Sequence, residues 1–349
     1  MGQAISKLTI KGYKSIRNLE DFELRNINIL IGPNGAGKSN FLSFFDFLLK
    51  FAERKESFDA YVQKQGGADR FLYLGPKATH QITISFCFSP ASEFSLYLDA
   101  TSDNRFVKST PALPVKGSSK KGVVEILDFV ITKIHKEWRI YHFHDTSDFA
   151  AVKRTCSKRD YEYLRPDASN LAAFLLFLKK KHEREYQHIR ETVQLAAPFF
   201  DDFSLRDSLD NPDETLLEWL QKGADYHFHP SQISDGTLRF ICLATALLQP
   251  NPPSTILLDE PELGLHPYAL TLLAGLIQKA STQTQVIVST QSAALIDHFE
   301  PEDIVVVERQ NGESTFNRLN KADLKVWLDD YSLGELWQKN VFGGRPARE

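Results

Sequence analysis

The sequence predicts an α/β fold, and three observations predict it. A short apolar run, 28–31, leads into Gly32-Pro-Asn-Gly-Ala-Gly-Lys-Ser39, and a stretch with apolar residues at helical spacing, 40–49, leaves it. Two further apolar runs of strand length, 256–258 and 285–290, are followed by polar residues, as buried strands that end at a site are. Alternating segments at 81–86 and 94–98 read instead as half-exposed antiparallel strands.

Gly32 to Ser39 satisfies the G-x-x-x-x-G-K-[ST] pattern at each fixed position, between a strand and a helix as the pattern requires. Gly32, Gly35 and Gly37 let the backbone turn tightly and aim successive N–H groups at a phosphate, at the positive end of the following helix. Lys38 is placed to reach the β- and γ-phosphates and Ser39 to ligate Mg²⁺, so a nucleoside triphosphate, ATP or GTP, is expected.

The chain has 349 residues, 42% of them apolar, enough to fill the core of one large domain or two ordinary ones. No apolar run approaches the roughly eighteen residues that span a bilayer, and the N-terminus lacks a signal peptide's apolar core, so the cytoplasm is expected and a membrane is not. Cys87, Cys156 and Cys242 are scattered and read as small buried hydrophobes. The formal net charge is −4, yet residues 101–200 carry 18 Lys and Arg against 12 Asp and Glu. That basic middle is either a solvated face or the footprint of a polyanion.

In chain order, 8–10 and 22–24 read as strands ahead of the loop. Residues 101–122 turn to Ser, Pro, Lys and Gly and read as a loop, with strands expected at 123–134 and 138–143. Asp167-Ala-Ser-Asn170 offers capping side chains to a helix that starts near Leu171, carries Lys179, Lys180 and Lys181, and runs to about Leu195. Ser234, Asp235 and Gly236 stand where the N-cap of an apolar helix belongs, at 238–248. The strand 256–258 ends in Asp259-Glu260, a pair suited to holding a metal's water shell and orienting the attacking water. Strands at 304–308 and 314–319, a helix at 322–329 and a disordered end from Gly343 complete the reading.

On these residues the chain resembles the SMC/RecF/OLD group of ABC-type ATPases. The likeness is carried by Lys11-Gly-Tyr-Lys-Ser-Ile16, Ile27 through Asn40, Asp167-Ala-Ser-Asn-Leu-Ala-Ala-Phe-Leu175, Ala197-Pro-Phe-Phe-Asp-Asp-Phe203 and Ser234-Asp-Gly-Thr237. It implies an ABC-type P-loop NTPase head with a mixed central sheet, an antiparallel β subdomain and a helical lobe. One head would fill 1–349, with a first lobe at 1–100, an inserted basic and helical segment at 101–200, and a second lobe at 201–349.

The resemblance further implies ATP and Mg²⁺ as cofactors. Asn34, Gly35, Ala36, Gly37, Lys38, Ser39 and Asn40 would bind the nucleotide, Ser39 and Asp259 the metal, and Glu260 would serve the attacking water, with Gln291 at the switch position where histidine is commoner. Glutamine can hydrogen-bond a phosphate but carries no charge, so slow hydrolysis is expected. Ser234 and Gly236 form the signature that meets the γ-phosphate of a second chain, so a homodimer would close around ATP. Residues 262–267 resemble the D-loop, with His266 at the interface or in loop packing, and the magnesium-contacting glutamine falls to Gln63 or Gln65. OLD-type enzymes continue into a TOPRIM-type nuclease; no second acidic cluster of that form is present, so a separately encoded effector, a nuclease or similar, is expected. The expected role is phage defence or DNA repair, with DNA contacts at Lys179 to Lys181 and in the 116–121 loop. A nucleotide-gated scaffold and a transporter subunit are the alternatives.

Overall fold

The computed structural model describes residues 4–89, 92–109, 134, 137–208 and 211–344. The chain opens with an antiparallel pair, β1 (Lys7–Tyr13) and β2 (Ile16–Glu23), and crosses to β3 (Ile27–Ile31), which feeds the glycine-rich loop and α1 (Lys38–Phe51). After α2 (Lys55–Lys64) come β4 (Gln81–Ser89), β5 (Ser92–Ala100) and β6 (Phe106–Ser109). These join the opening pair in an antiparallel sheet ordered β2-β1-β4-β5-β6.

The middle supplies β7 (Trp138–Tyr141), the two-residue β8 (Cys156–Ser157), and the helices α3 (Leu171–Lys181) and α4 (Glu183–Ala196). Then β9 (Phe200–Ser204), β10 (Glu214–Thr215), β11 (Glu218–Gln221) and β12 (His227–Phe228) make two small sheets, β12-β11-β9 and β10-β8. The last part holds α5 (Asp235–Leu248), β13 (Thr255–Asp259), α6 (Pro267–Ala280), β14 (Gln285–Thr290), β15 (Ile304–Gln310) and β16 (Glu313–Arg318).

The central sheet runs β16-β15-β3-β14-β13-β7 and is parallel except for the β15–β16 pair. Because both its faces are covered, its inner strands are apolar throughout rather than alternating. Successive residues still part to opposite faces: Ile29, Ile31 and Leu258 enter the core with α3 to α6, while Leu30, Leu257 and Ile287 enter the core shared with α1 and the antiparallel sheet. The helix that carries the loop is anchored by rings. Phe41, Phe44, Phe45 and Phe47 are fully buried and meet Tyr13, Phe71, Trp138 and Phe316 at centroid distances of 5.1–5.6 Å. Parallel strands present their C-terminal ends on one edge, and ligand sites of open α/β sheets lie there.

Several expectations need correction. The helix expected from 171 to 195 is two, broken at His182 (φ −137°, ψ 54°). Asp167 and Asn170 do not cap it: Asp167 accepts from the Ser169 amide, and Asn170 ties Arg165, Asp160 and Tyr163 of the preceding loop together. The strand expected at 123–134 lies outside the described residues except for Ile134, which is helical and buried. Gly343 and Gly344 are ordered against β15, where the Gly344 amide donates to Glu308 and its carbonyl accepts from Trp337.

Candidate active site

Gly35 and Gly37 adopt φ of 80° and 117°, which a side chain would strain. A Cβ on Gly37 would also lie 2.0 Å from Ser314 Oγ, so the loop is threaded against the β15–β16 turn without room to spare. Ser314 Oγ donates to the Ala36 carbonyl (2.6 Å) and lies 2.7 Å from Ser15 Oγ, which in turn accepts from Asn40 Nδ2 at 2.7 Å. Asn40, expected among the nucleotide contacts, therefore braces the loop from behind. Lys38 Nζ folds back onto the carbonyls of Gly32 (2.7 Å) and Pro33 (3.1 Å), while Asn34, Gly35 and Ser39 are exposed. Burial pushes the Lys38 ammonium below its ordinary value; Glu260, Asp259 and Glu262 pull it back up, which places those carboxylates within its electrostatic reach.

Asp259 ends β13 with Oδ1 buried and lacking a hydrogen-bond partner, a donor set that fits a cation or its water. Glu260 follows in the left-handed region (φ 41°), its amide on the Ser289 carbonyl at 2.8 Å. That strained conformation aims its side chain at the next strand's end, where Gln291 Nε2 donates to Oε1. The switch glutamine and the second carboxylate are thus already joined.

Two groups here escape a reading of motifs. Glu262 Oε1 accepts from Thr290 Oγ1 (2.5 Å) and from the Gln291 amide (2.9 Å), so it locks the loop after Asp259-Glu260 to the end of β14. Burial raises its carboxyl above the usual range, and those two hydrogen bonds lower it in part. The second group is His142 and His144, just past β7. Register pairs Leu258 with Tyr141, so His142 falls beside Asp259, its Nδ1 3.8 Å from Oδ2, and His144 Nε2 meets the Asp259 carbonyl at 2.8 Å. Burial lowers the His142 pKa and Asp259 opposes it. Of the two candidate magnesium-contacting glutamines, Gln63 donates to the Asn104 carbonyl (3.0 Å) and Gln65 closes α2.

The signature forms a separate surface. Ser234 caps α5, its Oγ accepting from the Thr237 amide at 3.2 Å. Gly236 is dictated by packing, since a Cβ there would lie 2.3 Å from the Gly264 carbonyl oxygen. Arg239, buried, donates to the carbonyls of Phe143 (2.8 Å), His144 (3.1 Å) and Leu263, so one guanidinium holds the loop after β7, the signature helix and the D-loop. Beside them Lys153 Nζ, on a side chain only 5% exposed, sits 3.8 Å from Asp235 and 3.9 Å from Asp148. His266 caps α6 through the Tyr268 amide at 3.2 Å, a loop-packing role.

Among the described residues no group of three or more His, Cys, Asp and Glu could hold a metal by itself. A cation here would need phosphate oxygens and Ser39 to complete its shell. Among the described residues no helix is long and apolar enough to cross a membrane.

Comparison with known proteins agrees with this fold. Residues 27–297 match the family model described as "AAA domain, putative AbiEii toxin, Type IV TA system". No curated protein matches the chain. Among solved structures, the Smc head bound to the C-winged helix domain of ScpA is similar over 92% of this chain and 99% of its own, with a TM-score of 0.63 at 18% identity. The Smc head domain with an extended coiled coil bound to the C-terminal domain of ScpA from Pyrococcus furiosus is similar over 94% and 99% (TM-score 0.60, 17% identity). The SMC head domain from Thermotoga maritima is similar over 91% and 99% (0.50, 16%). At such identities the likeness is one of fold, that of an ABC-type P-loop head.

Proposed function

The chain belongs to the AAA-domain family whose model spans residues 27–297, and from that premise we propose an ATP-hydrolysing switch that closes as an ATP-sandwiched homodimer and controls a separately encoded effector in phage defence or DNA repair. The observation that carries this reading is the split between two half-sites. Lys38, Ser39, Asp259, Glu260 and Gln291 gather at the strand ends, whereas Ser234 and Gly236 head α5 and make no hydrogen bond to any of them among the described residues. A γ-phosphate held by the first set lacks donors on its far side, and a second chain's signature supplies them at a helix N-terminus. The surface around the signature is apolar enough to be covered: Phe149 is 79% exposed, Tyr268 51% and Leu263 40%.

Within the closed site Lys38 would leave its two carbonyls for the β- and γ-phosphates, and Ser39 and Asp259 would hold the cation. Mg²⁺ there would neutralise charge on the β- and γ-oxygens. Glu260 Oε1 is occupied by the Gln291 amide, which leaves Oε2 to take the proton of the attacking water. The family description, which names a toxin and a Type IV TA system, supports an effector partner, as does the partner-bound state of the similar Smc heads.

Shared sites are tested by mixing. Ser234→Arg and Lys38→Ala should each stop hydrolysis alone, the first with ATP binding intact. Mixed one to one, half the dimers would be hybrids with one composite site free of both changes, so about a quarter of the parent's site activity should return if sites act independently. No recovery, with dimers shown to exchange, contradicts the sandwich.

Contact with DNA is the finer part of the proposal. Lys179 pairs with Asp202 at 3.2 Å and so has less charge to offer than expected, while Lys180 and Lys181 are exposed; the 116–121 loop lies outside the described residues. Changing Lys180 and Lys181 to Glu should flatten the salt dependence of duplex binding by about 0.9 in log–log slope for each phosphate that these lysines neutralise. An unchanged slope in a fluorescence-anisotropy series argues that these lysines are a solvated face.

A further inference from the structure

The residue beside Asp259 is a histidine, and its position bears on which cation the site takes. The parallel register carries His142 one step past the Leu258–Tyr141 pair, onto the same strand-end edge as Asp259 and the phosphate loop. Its Nδ1 lies 3.8 Å from Asp259 Oδ2, too far for a hydrogen bond. Two ligands each about 2.1 Å from one octahedral ion stand about 3.0 Å apart when adjacent and about 4.2 Å when opposite, so a shift of under about 1 Å by the half-exposed imidazole would let both atoms share a cation. Asp259 Oδ1 lacks a protein partner and is buried.

The neighbouring contacts keep this pair in place. His144 holds the Asp259 carbonyl, and Arg239 holds the carbonyls of Phe143 and His144, so the loop carrying His142 is fixed to the strand that carries the aspartate. His142 itself is not closed off; its side chain is 47% exposed, open to a nucleotide arriving at the loop.

We propose that His142 is an imidazole ligand of the nucleotide-bound cation, together with Asp259 and Ser39, and that it biases the site toward a first-row divalent ion such as Mn²⁺ over Mg²⁺. Mg²⁺ keeps hard oxygen ligands and near-ideal octahedral geometry, and gives up water reluctantly. Imidazole suits the later first-row ions, and Mn²⁺ also accepts the carboxylate, hydroxyl and phosphate oxygens that complete this shell. The inference rests on the nucleotide-site reading and adds the identity of a ligand and a preference among cations.

The test uses the full chain with a non-hydrolysable ATP analogue and Mn²⁺, read by electron spin-echo envelope modulation. The parent should show ¹⁴N modulation from a coordinated imidazole. His142→Gln should lose it while still binding Mn²⁺ and nucleotide through the amide oxygen, and its preference for Mn²⁺ over Mg²⁺ should fall. Modulation that persists in His142→Gln, or is absent from the parent with Mn²⁺ bound, overturns the assignment while leaving the nucleotide site standing. Mn²⁺ binding that is indifferent to both nucleotide and Lys38→Ala overturns the two together.

Discussion

Lys38→Ala should weaken nucleotide binding severely and leave the fold in place. The ammonium would make charge-assisted hydrogen bonds to two phosphates, each worth about 1.5–3 kcal/mol, so affinity should fall by at least about 10²-fold. What remains of the loop does not depend on it. Ser314, Ser15 and Asn40 brace the loop from behind, and the phenylalanines of α1 keep the helix seated. Removing the donor from the Gly32 and Pro33 carbonyls costs about 1–3 kcal/mol at most, a few degrees in a melt. Isothermal titration with ATP and a thermal melt check the two halves; affinity like the parent's would take Lys38 out of the site.

Glu260→Gln should lower turnover by about 10²–10⁴-fold, the range over which a positioned general base acts, and hold the dimer closed. Geometry favours this substitution over Ala. A glutamine keeps an Oε1 to accept from the Gln291 amide, so the joined pair of strand ends survives, whereas the oxygen that takes the water's proton becomes an NH₂. A two-state equilibrium moves from 1:99 to 99:1 with about 5.5 kcal/mol, which two to four charge-assisted bonds from the opposite signature supply. Light scattering with ATP should therefore report a lasting dimer for the variant and a transient one for the parent. Parent-like turnover, or a size indifferent to ATP, would remove Glu260 from this role.

Much of the site was legible because its parts are local. The phosphate loop, the Asp259-Glu260 pair and the cap at Ser234 are each written in a few consecutive residues whose types are dictated by backbone geometry or charge. The fold class was legible for the same reason, since buried parallel strands and half-exposed antiparallel ones differ in periodicity. His142 and His144 were missed because their meaning depends on strand register. Nothing in Trp138 to His144 says that β7 lies beside β13, and that pairing alone brings an ordinary histidine to Asp259. Glu262 and Arg239 escaped likewise: their partners are carbonyls, amides and hydroxyls of distant loops, which leave no pattern of residue types. Asn40 has a partner that its motif position did not announce. A motif position suggested a nucleotide contact, and the side chain meets a serine of the opening turn.

The brace behind the phosphate loop spans nearly the whole chain: Ser15 and Ser314 are separated by 299 positions. β3 is likewise flanked on both sides, by β14 and β15, strands made long after it. At about 5–20 residues per second, a ribosome takes roughly 15–60 s to deliver the second half of this brace after the first. During that interval the glycine loop exists as sequence but has neither its sheet neighbours nor the serine that shapes it. Nascent chains that stop before β16 should therefore fail to retain ATP.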